Sequence, residues 1–237
     1  MLAGAVWHEL VWVALLLIER LIKTMSDDTR TADTILDAAE RLFARQGFPA
    51  TTIKQIANEA GVNSALLYYY YASKEMLYRA MLQRIMGQLL ATGTTAMERA
   101  TTHADRVRAF VRAQVRVLGD HPHFPHLLVR EMVDHQAAHA EAAITTTVAG
   151  AFDRLCSVIE AGQSDGVFRA SLDPRFAAIS TIAQVAYFVI ARPAVGIMLG
   201  HGTSGPPRDV TERFYRHAEE FALAALSSDY GVEGARS

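Results

Sequence analysis

Apolar residues recur along this chain at three- and four-residue steps, and nowhere do they alternate with polar ones over a useful length. That period belongs to helices that bury one face. Between Thr31 and about Gln46 the stripe is Ile35, Ala38, Ala39, Leu42 and Phe43, and Gly47 ends it as a C-terminal cap would. From Thr51 to Lys74 the string TTIKQIANEAGVNSALLYYYYASK reads as two short helices about Gly61. Ile56, Ala60, Val62, Leu67 and Tyr70 face inward, with small Ala57 where the helices approach. Gly61 reaches positive φ without a Cβ penalty. Thr52 and Gln55 have capping-box spacing, and Asn63 is a good N-cap for the second helix. Two helices joined this way form a helix-turn-helix, in which the second helix enters a major groove by its N-terminal residues.

Beyond Glu75 the same period predicts helices over 74–90, 104–119, 124–135, 137–161, 174–199 and 208–227. The separators are Thr-Gly-Thr-Thr at 92–95, Asp120-His121-Pro122, the stretch 162–173 and the stretch 200–207, all rich in turn residues. An all-α fold follows. It has an N-terminal three-helix helix-turn-helix domain over 26–80 and a larger C-terminal helical domain over 81–228, with a flexible tail at 229–237. Residues 1–25 form an apolar N-terminal extension.

The segment Thr31 to Met81 resembles the N-terminal domain of the TetR family of transcriptional regulators. The resemblance is carried by the stripe Ile35, Leu36, Ala38, Ala39, Leu42 and Phe43, then Gly47-Phe48, Thr51-Thr52, Ile56-Ala57, Ala60-Gly61-Val62, Leu67-Tyr68, Ser73-Lys74-Glu75 and Leu77. The family often has Gly where Ala65 stands and Phe where Tyr71 stands. It implies a homodimeric, cytoplasmic, ligand-responsive regulator, most often a repressor, on a pseudo-palindromic double-stranded DNA operator. The C-terminal domain would enclose a partly apolar small-molecule effector and make the dimer.

Chemistry sorts the DNA-facing candidates. Asn63, Ser64, Ala65 and Leu66 open the recognition helix: Asn can pair with adenine, and Ala or Leu can touch a thymine methyl. Tyr68 and Tyr69 offer phenol hydroxyls to phosphate, while Tyr70 and Tyr71 are expected to pack. Thr51, Thr52 and Lys54 at the front of the preceding helix, and Lys74 at the front of the next, match phosphate-contacting places in the family. Residues 26–80 hold six Lys or Arg against seven Asp or Glu, so the segment is not basic overall. Phosphate affinity must come from placement of hydroxyls, helix N-termini and a few cations.

Composition narrows the remainder. With 237 residues, 51% of them hydrophobic, the chain can build a substantial core, and its formal net charge is -2. A single Cys156 excludes an intrachain disulfide or a Cys-pair zinc site and fits a reducing compartment. The run Leu10 to Ile18 is too short and too closely bounded by charge for a spanning helix, so membrane association is not expected. It lacks a good signal-peptide pattern too, and Met25-Ser26-Asp27-Asp28 reads as a natural start.

Three further features carry alternatives. Met86, Leu89, Phe110, Gln114, Leu128, Met132, Phe152 and Tyr187 suit an effector pocket, although Met and aromatic stripes at helical spacing are more often ordinary core. Ile179, Ile182, Val185, Ala186, Val189 and Ile190, with Phe214, Ala218, Phe221, Ala222 and Ala225, exceed what one buried face requires and point to a dimer interface, against burial within a monomer. Glu131, His135 and His139, spaced by four below His121, His123 and His126, form a weak metal candidate and the basis of the alternative function, a metal-binding sensor or metal-dependent enzyme. The H-E-x-x-H signature is absent, as is any nucleophile-base pair, so no catalytic residue and no cofactor is assigned.

Overall fold

The computed structural model of the chain describes residues 28–228. The expectations for residues 1–25 and for the tail at 229–237 lie outside them. The chain divides into two compact units at Leu77/Tyr78, a point that falls within one long helix.

In the first unit, α1 spans 28–50, with Gly47 at φ 80°. It begins before the expected Thr31 and carries helical turns past Gly47. Its stripe is buried as its spacing requires: Ile35, Ala38, Ala39 and Phe43 are fully covered, and Leu36 and Leu42 nearly so. Then come α2, Ile53–Ala60, and α3, Ser64–Tyr70. Thr52 caps α2 with its hydroxyl, and the Gln55 side chain returns to the Thr52 backbone N–H, completing the capping box. Gly61 lies at φ 69° and ψ 25°, the left-handed cap that turns the chain into α3. Ile56, Ala57 and Leu67 are buried, whereas Ala60, Val62 and Tyr70 are half-buried.

The second unit contains most of α4, Lys74–Arg99, then α5, His103–Asp120, and α6, Phe124–His135. A short α7, Glu141–Ala143, runs through a π-turn, Ile144–Val148, into α8, Ala149–Ser164. The chain closes with α9, Pro174–Ile190, α10, Arg192–Met198, and α11, Arg208–Leu226. Among the described residues there is no strand, only an isolated antiparallel bridge between Phe168 and Ser227. α8 packs on α5 and α9, and α11 packs on the same two helices. Met97, Val107, Phe110, Leu155, Ile159, Phe168, Ala178 and Leu226 meet in the core. Each large side chain there contributes about 1.5–3 kcal/mol by leaving water. The helix Glu141–Ser164 is long and apolar enough to cross a membrane, yet its Leu155, Cys156 and Ile159 are core residues.

Three predicted boundaries are corrected. The helix from Lys74 does not stop at 90, because Gly93 is buried and faces the Phe110 ring, so packing on α5 overrides the weak helix preference of Thr-Gly-Thr-Thr. The helix expected from 137 starts at Glu141, after left-handed Gln136 and Ala137. The helix expected over 174–199 is broken at Ala191, and its halves are bent by 84°. Pro193, which cannot donate a backbone hydrogen bond, sits in the first turn of α10 and accounts for the break.

Candidate functional site

α3 is held at both ends. Asn63 Oδ1 accepts from the Leu66 N–H at 2.7 Å, and the Tyr70 hydroxyl donates to Asp28 Oδ1 at 3.0 Å, tying the end of α3 to the start of α1. Desolvation, with the Asp28 carboxylate beside it, raises the Tyr70 phenol above its ordinary range, so it remains a donor. Tyr70 is therefore a half-buried anchor and not a core residue. Its ring meets Tyr69 edge-on at 5.2 Å.

What α3 leaves outward is compact. Ala65 is exposed, Ser64 and Leu66 are half-buried, and Tyr68 and Tyr69 are 52% and 76% exposed. On α2 and its cap, Lys54 and Thr52 are exposed. These seven side chains form one candidate DNA surface, and the capping contacts fix its backbone.

Three DNA-facing expectations change. Thr51 is buried, and its hydroxyl donates to the Gly47 carbonyl at 2.7 Å, so it braces the loop after α1 instead of offering itself to phosphate. Lys74 Nζ donates to the Phe48 and Thr51 carbonyls at 2.9 and 3.1 Å and lies 4.4 Å from the centre of the Phe48 ring. Two of its three donors are spent on these backbone carbonyls. Asn63 spends its side-chain oxygen on the cap, and a bidentate adenine pair needs that oxygen. Two of the unit's few cations are also turned to its own carboxylate: Arg41 and Arg45 both pair with Glu59, at 3.0 and 3.5 Å. The Arg41 hydrogen bond, with the charge of Arg45 behind it, holds the Glu59 carboxyl below its ordinary range.

The eight candidate pocket residues do not share one environment. Met86, Phe110 and Gln114 are buried, Leu89, Leu128 and Phe152 are half-buried, and Met132 and Tyr187 are exposed. Phe110 belongs to the main core. Gln114 donates through Nε2 to the Ile182 carbonyl at 3.0 Å, while its Oε1 is buried without a hydrogen-bond partner, as is Thr94 Oγ1. A separate groove of about 510 Å³ between α4 and α5 is lined by Arg99, Arg108, Arg112 and Arg116 among others. None of the eight lines it.

The histidine candidates do converge. Glu131 is fully buried, His139 donates its backbone N–H to Glu131 Oε1 at 2.7 Å, and His139 Nδ1 lies 3.2 Å from Oε2. The rings of His135 and His139 meet edge-on at 4.8 Å. Tyr78 of α4 stands edge-on to His139 at 5.4 Å. Burial, followed by the charge of Glu131, pushes the Tyr78 phenol far above its ordinary range.

Comparison with known proteins adds to this geometry. Residues 35–81 match the family described as bacterial regulatory proteins, tetR family, and residues 104–217 match the tetracyclin repressor-like C-terminal domain. Over 165 residues the chain is 33% identical to the HTH-type transcriptional repressor NicS of Pseudomonas putida KT2440, spanning 67% of this chain and 75% of that one. The chain belongs to the TetR family.

The TetR-family fold is also that of the fatty acid degradation regulator FadR from Bacillus halodurans, with a TM-score of 0.67 at 21% identity over 83% of this chain and 96% of that one. FadR from Bacillus subtilis, solved in complex with stearoyl-CoA, aligns with a TM-score of 0.66 at 18% identity over 81% of this chain and 98% of that one. As a TetR-family member the chain is a DNA-binding transcription regulator and not an enzyme. Two features of this TetR-family chain escaped sequence reasoning. The arginine groove was signalled by Arg108, Arg112 and Arg116 at steps of four. Tyr78 beside Glu131 was not signalled, because the two lie on separate helices and more than fifty residues apart.

Proposed function

We propose that this protein is a cytoplasmic, homodimeric repressor that binds a pseudo-palindromic operator through α2 and α3 and releases it when a partly apolar small molecule enters the second unit. The observation that carries the reading is the capped α3, whose Ser64, Ala65, Tyr68 and Tyr69 project together while Leu67 is buried beneath them. Side chains at the start of a rigid recognition helix read base edges, and hydroxyls and cations around them set the register on phosphate. Lys54, Tyr68 and Tyr69 serve the second role, whereas the Thr52 hydroxyl is committed to Gln55 in the capping box.

Dimerisation is supported by the faces of α9 and α11. Ala178, Thr181, Val185 and Phe188 turn one side of α9 inward, while Phe176, Ile179 and Tyr187 are 70%, 52% and 58% exposed on it. On α11, Ala218, Ala222 and Leu226 are buried and Phe221 is 59% exposed. Large apolar side chains on two neighbouring helices are what a second copy would cover. Effector binding is supported by Gln114, whose buried Oε1 has no hydrogen-bond partner. The effector must favour the conformation that does not bind DNA, since equal affinity for both would shift nothing.

The test is selection of DNA fragments by the purified full-length chain, followed by affinity for the winner at several salt concentrations. Enrichment of a pseudo-palindrome bound by a dimer is expected. Lys54→Ala should reduce the slope of log affinity against log salt by about 0.9 if it neutralises one phosphate. Tyr69→Ala should weaken the selected site while leaving the melting temperature unchanged. Failure to enrich any sequence would overturn the reading.

A further inference from the structure

We propose that Glu131, His135 and His139 form a binding site for a divalent first-row transition metal ion of the zinc class. One ligand atom from each residue lies within 4.8 Å of the other two. The two atoms already in contact, His139 Nδ1 and Glu131 Oε2, are 3.2 Å apart. Ligands at about 2.0–2.1 Å from a tetrahedral zinc lie about 3.3–3.4 Å from one another. That pair therefore needs almost no movement. His135 is the last residue of α6 and half-buried, and rotation of its side chain closes the remaining gap.

The local chain path is built for this convergence. Gln136 and Ala137 adopt φ 50° and 65°, consecutive left-handed residues that both carry a Cβ. Each costs about 1–2 kcal/mol relative to ordinary backbone. Their effect is to reverse the chain after α6 and lay His139 over Glu131, with the Ala137 N–H donating to the Glu131 carbonyl. Pairing with His139 alone would account for a buried Glu131. It does not account for the second imidazole standing edge-on to the first beside the same carboxylate.

The donor set defines the ion. Two imidazoles and one carboxylate suit zinc, nickel, cobalt or iron(II), while a site for magnesium or calcium would be all oxygen. Three protein ligands leave at least one position for water or an added ligand. One buried negative charge and two neutral imidazoles accept a dication with a residual charge of plus one, half that of the bare ion, and the ion in turn compensates the buried carboxylate. Tyr78 flanks His139, and outer groups of this kind fix the orientation of a ligating ring. Tyr78 lies one helical turn beyond Lys74 on α4. An ion that draws His135 in and fixes His139 on Glu131 thus sets the surface against which Tyr78 packs, on the helix that starts at the DNA-binding unit. This consequence rests on the regulator reading above, but the site itself does not.

The experiment uses the full-length chain freed of any histidine tag and stripped with EDTA. Titration with Co2+ should give visible d–d absorption saturating at one ion per chain, and Zn2+ should displace it and raise the melting temperature. His135→Ala leaves the Glu131–His139 contact in place, so it should keep the apo melting temperature. It should lose more than about a hundredfold in metal affinity, beyond the 10–100-fold cost of removing an outer-sphere partner. His126→Ala, at an exposed position on the same helix, should bind as wild type. No cobalt spectrum, or equal affinity in wild type and His135→Ala, would overturn the site. Zn2+ that binds without changing affinity for the selected operator would overturn the coupling to α4 alone. A chain that binds metal but no operator would instead count against the regulator reading.

Discussion

Replacing Lys74 with Met separates two roles for a lysine that the family resemblance assigned to phosphate. Its Nζ donates to two carbonyls of the loop before α2 and stacks on Phe48. Hydrogen bonds to a charged group contribute about 1.5–3 kcal/mol each when they are protected from water. Here the pair is only part-buried, so water recovers much of the loss. With about 0.5–1 kcal/mol for the cation over the ring at an exposed site, the net cost comes to about 2 kcal/mol. At 2–4 °C per kcal/mol for a chain of this size, that lowers the melting temperature by about 4–8 °C. Met keeps the apolar stem, so the loss belongs to the ammonium. The decisive assay is operator affinity by fluorescence anisotropy across salt concentrations at about 15 °C, where the variant remains folded. A pin leaves the slope of log affinity against log salt as it is in wild type and weakens binding uniformly. A direct phosphate contact would reduce the slope by about 0.9. A reduced slope with an unchanged melting temperature would refute the argument that Lys74 acts first on its own backbone.

Two more perturbations test the packing and the charge pattern. A Cβ on Gly196 would lie 2.3 Å from the Gly202 carbonyl oxygen and 2.5 Å from Gly205 Cα, both backbone. Gly196→Ala should therefore destabilise the second unit by about 1–3 kcal/mol, at the upper end because no side chain can swing aside, and an unchanged urea midpoint would contradict the loop placement. Glu59 has its carboxyl depressed below the ordinary 4.5 by Arg41 and Arg45, so the ion pair's contribution is fully present above about that pH and is lost as pH falls through the lower folded value. Urea melts between pH 2 and 6 should show a larger acid loss for wild type than for Glu59→Gln, and identical pH profiles would show that the pairing carries no stability.

The first unit was legible because its instructions are local. The Thr52–Gln55 box, the Gly61 turn, the Asn63 cap and the α1 stripe each act within a few residues, and a spacing rule finds such features. The same caps explain why the residue roles were harder to assign. Asn63 and Thr51 have the right chemistry for DNA, but the Asn63 oxygen already serves a helix end and the Thr51 hydroxyl proton is given to Gly47. In the second unit the composition implied helices, while their ends were decided elsewhere. Gly93 continues α4 because Phe110 packs across it, and the break at Ala191 follows Pro193, whose effect the apolar run on either side had masked.

Periodicity, caps and turn residues therefore determined by themselves that this is an all-helical chain headed by a helix-turn-helix, since a helix period and a left-handed glycine are properties of neighbouring residues. Tertiary structure decided which polar groups are free to act. Lys74 turns to backbone carbonyls, Arg41 and Arg45 pair with Glu59, and Tyr78 meets the Glu131–His139 pair. Each of those outcomes depends on segments distant in sequence becoming neighbours, and the desolvation and pairing that follow exist only once they do.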